Sequence, residues 1–255
     1  MIIWLASYPK SGNTWLRVLI SNIINSEKKD FEKPFGFLDD IISYPSRSHF
    51  QGLIKDMDNP EEIVPNWIHS QCVINLNKNI KIFKTHNMLG SFGKHKFTDI
   101  NNTAGVIHVV RDPRNVVSSL KNHFQLSNIS AATYFMLHKN NWIFANNNKN
   151  QGVLPSFISS WNNHYLSWKD FPKNYILIKY EDLLKKPNDE IIKIYNYLKK
   201  FYELNLNNEH LDKIIKLSSF ENLKRKESED GFDENFKHKR TKKIVPFFNS
   251  GPAND

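Results

Sequence analysis

The sequence predicts an α/β chain, a doubly wound parallel sheet flanked by helices on both faces, in a single domain over residues 1–255. Three observations carry this. Short apolar runs recur along the chain, most of them lead into a polar loop, and those loops open into segments with helical hydrophobic period. With 255 residues, 40% of them hydrophobic, the chain can bury a sizeable core, at the upper end of what one such domain uses.

Ile2 to Ala6 is a continuous apolar run closed by Ser7-Tyr8-Pro9, the pattern of a buried parallel strand. From Thr14 the period becomes helical, with Leu16, Leu19, Ile20, Ile23 and Ile24 on one face. Residues 31–79, broken by Pro34, Pro45, Pro60 and Pro65, predict loops with short helices. Ile80 to Lys84 and Gly105 to Val110 are two further strands. The second leads through Arg111-Asp112 to Pro113, a residue suited to a first helical turn, and to a helix carrying Val116, Val117 and Leu120. Helical stretches are expected around 131–145 and 155–168, a fourth strand over Tyr175 to Tyr180, and a helix over Asp189 to Tyr202. Ligands of such sheets bind beyond the strands' carboxyl ends, which directs attention to the loops after Ala6, Lys84 and Val110.

Composition excludes little by itself. The net charge of +9 favours anionic partners, although much of it is lysine scattered through an Asn- and Ile-rich sequence and reads equally as a solvated surface. Basic residues from Lys224 to Lys243 surround an acidic stretch, Glu227 to Asp233, and few hydrophobics interrupt them; this segment reads as a mobile loop. No apolar run reaches the roughly eighteen residues of a membrane span, and the first run is too short for a signal peptide. The single cysteine, Cys72, has no partner for a disulfide, which suits a cytoplasmic protein, and it reads as a small buried hydrophobe.

The first loop, Ser7 to Trp15, is the most informative stretch. A glycine at a strand-to-helix junction lets backbone N–H groups converge on an oxyanion, and the helix N-terminus adds its dipole. Lys10 adds a full charge, Ser11 and Thr14 add hydroxyls, and Trp15 offers a flat face to a base. The Walker A pattern is absent, because the lysine precedes Gly12 and the earlier glycine is missing. Taken singly, Gly12 and Thr14 also fit an ordinary turn and helix cap.

Tyr8-Pro9-Lys10-Ser11-Gly12-Asn13-Thr14-Trp15 resembles the phosphosulfate-binding loop of the sulfotransferases that use 3′-phosphoadenosine-5′-phosphosulfate (PAPS). Their usual wording is Tyr-Pro-Lys-Ser-Gly-Thr-Thr-Trp, so Asn13 is a departure. The resemblance implies a P-loop-like fold, PAPS as co-substrate and the bisphosphate PAP as product, with no metal required. It places Lys10 at the donor's bridging oxygen and Trp15 at its adenine, with Ser11, Gly12, Asn13 and Thr14 around the phosphosulfate.

Lys84-Thr85-His86 leaves the second strand and is similar to the family's Lys-Thr-His segment, which implies His86 as general base and Lys84 as a cation for the sulfonyl oxygens. Arg111 and, eight residues later, Ser119 fall where the family grips the 3′-phosphate, and the resemblance also counts Ser119 with the catalytic residues. By residue chemistry alone, Arg111 pairs equally well with Asp112; Arg114 reads as a surface residue. Ser160-Trp161-x-x-His164-x-x-x-Trp168 resembles a family helix, in which both tryptophans read as core and His164 as a satisfied structural histidine or a lining of the acceptor pocket. Tyr180, Ser218 and Phe220 are implied near the adenine. The stretch Pro246 to Asp255 resembles a C-terminal donor motif with Phe248, Asn249, Ser250 and Gly251 at its binding positions, Asn249 and Ser250 replacing an Arg-Lys pair. Lys242, Lys243 and Arg240 are candidates to compensate. The family's closing tryptophan, final helix and dimerisation segment are expected beyond Asp255.

The expected activity is in-line transfer of the sulfonyl group from PAPS to a small acceptor, an alcohol, phenol or amine, with no nucleic-acid partner and no membrane span. The oligomeric state is not legible. The segment 224–243 is expected to act as a lid. Two other readings share the same residues: a P-loop-type kinase, which predicts magnesium dependence, and a non-catalytic basic module holding nucleotide or nucleic acid, which predicts salt-sensitive binding without turnover.

Overall fold

The computed structural model describes residues 1–28, 34–144, 152–169, 171–232, 234–238 and 241–248. Four strands form the principal sheet: β1 (Ile2–Ser7), β2 (Lys81–Thr85), β3 (Thr103–Val110) and β4 (Tyr175–Lys179), in the order β2-β1-β3-β4. β1 runs parallel to both neighbours, aligning Ala6 with Thr85 and with His108. A strand with partners on both sides has no solvated edge, and all six residues of β1 are accordingly buried. The class is α/β, as expected from a chain that alternates strands and helices.

The chain falls into two compact units. The first holds residues 1–13, 41–110 and 134–178; the second holds 14–40, 111–133 and 179–255. Each passage from the first unit to the second therefore follows soon after or at the carboxyl end of β1, β3 or β4.

In the first unit the core is aromatic. Trp4 packs on Tyr44 and Phe97 with ring centroids 5.2 Å from each, and its Nε1 donates to Thr103 Oγ1 at 3.0 Å. Trp67, Phe83 and Trp168 join the same cluster. Large rings dominate this cluster; Tyr44 Oη donates to the Trp67 carbonyl at 2.9 Å and Trp168 Nε1 to Asn87 O at 2.9 Å, whereas Trp67 Nε1 meets no partner among the described residues.

The second unit is helical. Its helices are α1 (Asn13–Ile24, entering from the first unit), α3 (Pro113–Phe124), α6 (Tyr180–Lys185), α7 (Pro187–Leu198), α8 (Asn208–Leu217) and α9 (Phe220–Asp230); α4 (Ile129–Leu137) starts there and ends in the first unit, which also holds α2 (Trp67–Asn75) and α5 (Trp161–Trp168). Capping explains several starts. Asp112, Ser160, Asn207 and Ser219 each accept a backbone N–H two or three residues on, and prolines open α3 and α7.

Four expectations need correction. Cys72 is exposed: α2 buries Ser70 and Gln71, and a step of about 100° per residue turns the next side chain outward. Residues 155–160 are not helical, since Ser156–Phe157 pairs with Trp142–Ile143 as a short antiparallel ribbon and α5 starts only at Trp161. The segment 224–230 lies inside α9, because Arg225 and Lys226 pair with Glu229 one turn on, so its mixed charges support a helix rather than a loop. Trp161 is half-buried and stacks on Tyr165, whereas Trp168 is fully buried as expected. Among the described residues no helix is long and apolar enough to cross a membrane.

Candidate active site

In the first unit the loop after β1 carries two left-handed residues, Lys10 at φ 67° and Gly12 at φ 98°. For Gly12 this conformation is cheap; for Lys10 it stores strain, of the kind that accumulates at binding loops. Alternating left- and right-handed backbone turns successive N–H groups toward one point and makes a concave anion cradle. Ser11 is fully buried, and its Oγ meets no hydrogen-bond partner among the described residues. A buried orphan hydroxyl beside such a cradle fits a phosphate or sulfate oxygen.

Asn13 ties this loop to its strand. Its Nδ2 donates to Leu5 O at 3.2 Å and to Ser7 Oγ at 3.0 Å, bonds a threonine could not duplicate. At the end of β2, His86 Nδ1 lies 2.8 Å from Ser7 O and 3.4 Å from Ser7 Oγ. A carbonyl only accepts, so this contact calls for a proton on Nδ1, and in the neutral imidazole the lone pair is then on Nε2. The next residue is held firmly: Asn87 accepts from Phe157 N at 2.8 Å through Oδ1 and from Trp168 Nε1 at 2.9 Å through its carbonyl. Lys84, two residues before His86 on β2, is half-buried, and its backbone pairs with Ile42 and Tyr44. The first loop, Lys84 and His86 thus gather at one carboxyl edge of the sheet, and Ser7 is the link the sequence reading passed over.

Next to them stands a buried polar group that sequence reasoning did not assemble. His164, nearly fully buried, places its ring 5.7 Å from Tyr8 and 6.2 Å from His108. His108 Nδ1 is 3.0 Å from Tyr175 Oη. Burial drives His108 down to about 3 and holds His164 well below the ordinary histidine value, with the neighbouring His108 and His86 adding to the effect. Both rings are neutral near pH 7. His164 is buried as expected, with the backbone of His86 and Asn87 close enough to oppose the downward shift in part.

The second unit holds the described residues expected at the nucleotide's base and 3′-phosphate, and it brings Arg111, Tyr180, Trp15 and Ser218 together. The Arg111 guanidinium lies 4.1 Å above the Tyr180 ring, and Trp15 meets Tyr180 edge-on at 5.4 Å. Trp15 Nε1 donates to Ser218 O at 2.6 Å. Ser218 is buried, and its Oγ has no partner among the described residues. Asp112 is taken by the exposed Arg114, whose pairing holds the carboxyl down at about 2, while the Asp112 N–H is held by Glu181 at 2.8 Å. The Arg111–Asp112 pair that residue chemistry also allowed is not the one formed. Ser119 is half-buried on the second turn of α3. Phe248 is buried against Phe35, Phe220 and Phe232 at 5.6–6.0 Å. Asn249, Ser250, Gly251 and Arg240 lie outside the described residues.

The family model of the sulfotransferase domain matches residues 2–255. The chain belongs to the sulfotransferase domain family. Among the chain's relatives, cytosolic sulfotransferase 13 of Arabidopsis thaliana is 24% identical over 88% of this chain, and sulfotransferase 1 family member D1 of Mus musculus is 26% identical over 99% of it. The chain spans 62% of the first relative's length and 76% of the second's. A crystal structure of a mouse sulfotransferase complexed with PAP superposes with a TM-score of 0.53 at 21% identity, covering 88% of this chain and 65% of that one, and so supports the fold.

Proposed function

We propose that this sulfotransferase-domain chain transfers the sulfonyl group of PAPS to a hydroxyl or amine of a small acceptor. The observation that carries the reading is the tautomer of His86. With Nδ1–H fixed on the Ser7 carbonyl, Nε2 holds a lone pair at the same sheet edge as the Lys10 cradle. PAPS supplies an activated sulfonyl group whose leaving group is a phosphate. His86 Nε2 takes the acceptor's proton as the acceptor's oxygen or nitrogen bonds to sulfur and the bond from sulfur to the phosphate oxygen breaks in line. Lys84 steadies the sulfonyl oxygens, and Lys10 with the loop N–H groups stabilises charge on the departing phosphate. Arg111 and Ser119 take the 3′-phosphate, and Trp15, Tyr180, Ser218, Phe220 and Phe248 surround the adenine. Asn249, Ser250 and Gly251 complete the donor-binding set, as the resemblance implies.

The test is release of label from sulfur-labelled PAPS to a panel of phenols, aliphatic alcohols, amines and sugars, with His86→Ala alongside. The expected result is transfer that falls by about 10²–10⁴-fold in the variant, with PAP binding retained. A chain that neither transfers label nor binds PAP would refute the assignment.

A further inference from the structure

The first turn of α1 contains no acidic side chain, so the positive end of its dipole has no anion from its own sequence. Another part of the second unit supplies one. Glu234 Oε2 accepts from Thr14 Oγ1 at 2.7 Å, and its Oε1 pairs with Arg17 Nη1. Arg17 is itself buried, and its Nη2 donates to Leu38 O at 3.0 Å, which fixes the guanidinium against the carboxylate.

The backbone around Glu234 is anchored on both sides. Two residues earlier, Phe232 packs against Phe35 at 4.7 Å and Phe247 at 5.4 Å. One residue later, Asn235 Oδ1 accepts from Phe247 N at 3.1 Å, and the buried Glu227 accepts from the N–H groups of Phe247 and Phe248. The carboxylate is therefore placed on Thr14 by its own surroundings and is not a swinging surface chain.

We propose that Glu234 is a resident anion that closes the Thr14 end of the donor loop and that the donor must displace it. The inference rests on the proposed function and on the place the resemblance gives Thr14, beside the phosphate end of the donor's phosphosulfate. A hydroxyl has one proton to donate, and Thr14 has given it to Glu234. A phosphate arriving there meets a like charge as well. Glu234 thus lowers the affinity for any ligand that brings a 5′-phosphate, and it couples donor binding to movement of the segment that carries Glu234, the same stretch expected from sequence to act as a lid.

The experiment is calorimetric titration of the full chain, its Glu234→Gln variant and a double variant, Arg17→Met with Glu234→Gln, which leaves no buried charge unpaired. PAP is one probe. Adenosine 3′-monophosphate, which lacks the 5′-phosphate, is the other. Removing the carboxylate is expected to tighten PAP binding about tenfold or more and to leave the 3′-monophosphate unchanged. Unchanged or weaker PAP binding in both variants, with the unmodified chain binding PAP, would overturn the role of Glu234. Equal gains for both nucleotides would overturn it too, since a general loosening would then suffice. Absence of PAP binding in all three proteins would instead refute the proposed function.

Discussion

Acidification between pH 7 and pH 5 should destabilise this protein through its buried histidines. His108 and His164 are both about 1% exposed, and burial depresses both, His108 to about 3 and His164 well below the usual value. His49 is lowered to about 4, again mainly by burial, with Lys81 adding to it. Unfolded, each titrates near the ordinary value of about 6.5. Between that value and the depressed one the unfolded chain binds the proton and the folded chain does not. Stability is therefore complete above about pH 6.5, is lost as pH falls, and stops falling only below the folded values. Integrating the linkage from pH 6 to pH 5 gives about 1.2 kcal/mol for each of His108 and His49, and His164 adds a loss of the same sign. Ordinary carboxylates take up few protons in this window, so it isolates the histidines. Urea unfolding followed by tryptophan fluorescence at pH 7, 6 and 5 measures the loss; His108→Gln should remove about 1.2 kcal/mol of the part between pH 6 and pH 5, and His164→Gln should diminish it as well. A pH dependence that survives both substitutions undiminished would show that these rings are not held neutral by burial, and the reasoning would fall.

Two further outcomes follow from the second unit. Arg111→Ala should weaken PAP binding by about 10- to 100-fold, the weight of a charge-assisted hydrogen bond, while the affinity for adenosine 5′-monophosphate changes little; equal losses for both nucleotides would argue that Arg111 only supports Tyr180. Trp15→Phe removes the donor to the Ser218 carbonyl and should cost about 1–2 kcal/mol in urea unfolding, and a cost near zero would show that the Trp15–Ser218 bond is replaced by water.

Much of the site was legible because it is built from local strings. The loop that begins at Lys10, the Lys84–His86 pair and Arg111 each lie at or just after a strand's carboxyl end, so strand periodicity placed them at one type of position, with Ser119 nine residues beyond Val110 on α3. The family wording then assigned roles. Asn13, a departure from that wording, reads in the sequence as a substitution; in the structure its amide makes two bonds that tie the loop to β1.

Other features were not legible because they depend on contacts between distant segments. Residue type cannot say that Ser7 O faces His86, 79 positions away, and so sets the ring's tautomer. Charge counting read 224–243 as one mixed loop, whereas pairs one turn apart carry α9 to Asp230 and deliver Glu234 to Thr14, 220 residues earlier. Cys72 was misplaced because a single small apolar residue on a short helix has too little neighbouring pattern to reveal its face.

What the sequence by itself determined was the class of fold and the family, since these reside in short-range periodicity and contiguous motifs. The tertiary structure decided the protonation site of His86, the choice of Arg114 over Arg111 as partner of Asp112, the neutrality of His108 and His164, and the seat of Glu234. Each of these follows from which groups lose water together, and burial and hydrogen-bond partners are properties of the folded chain.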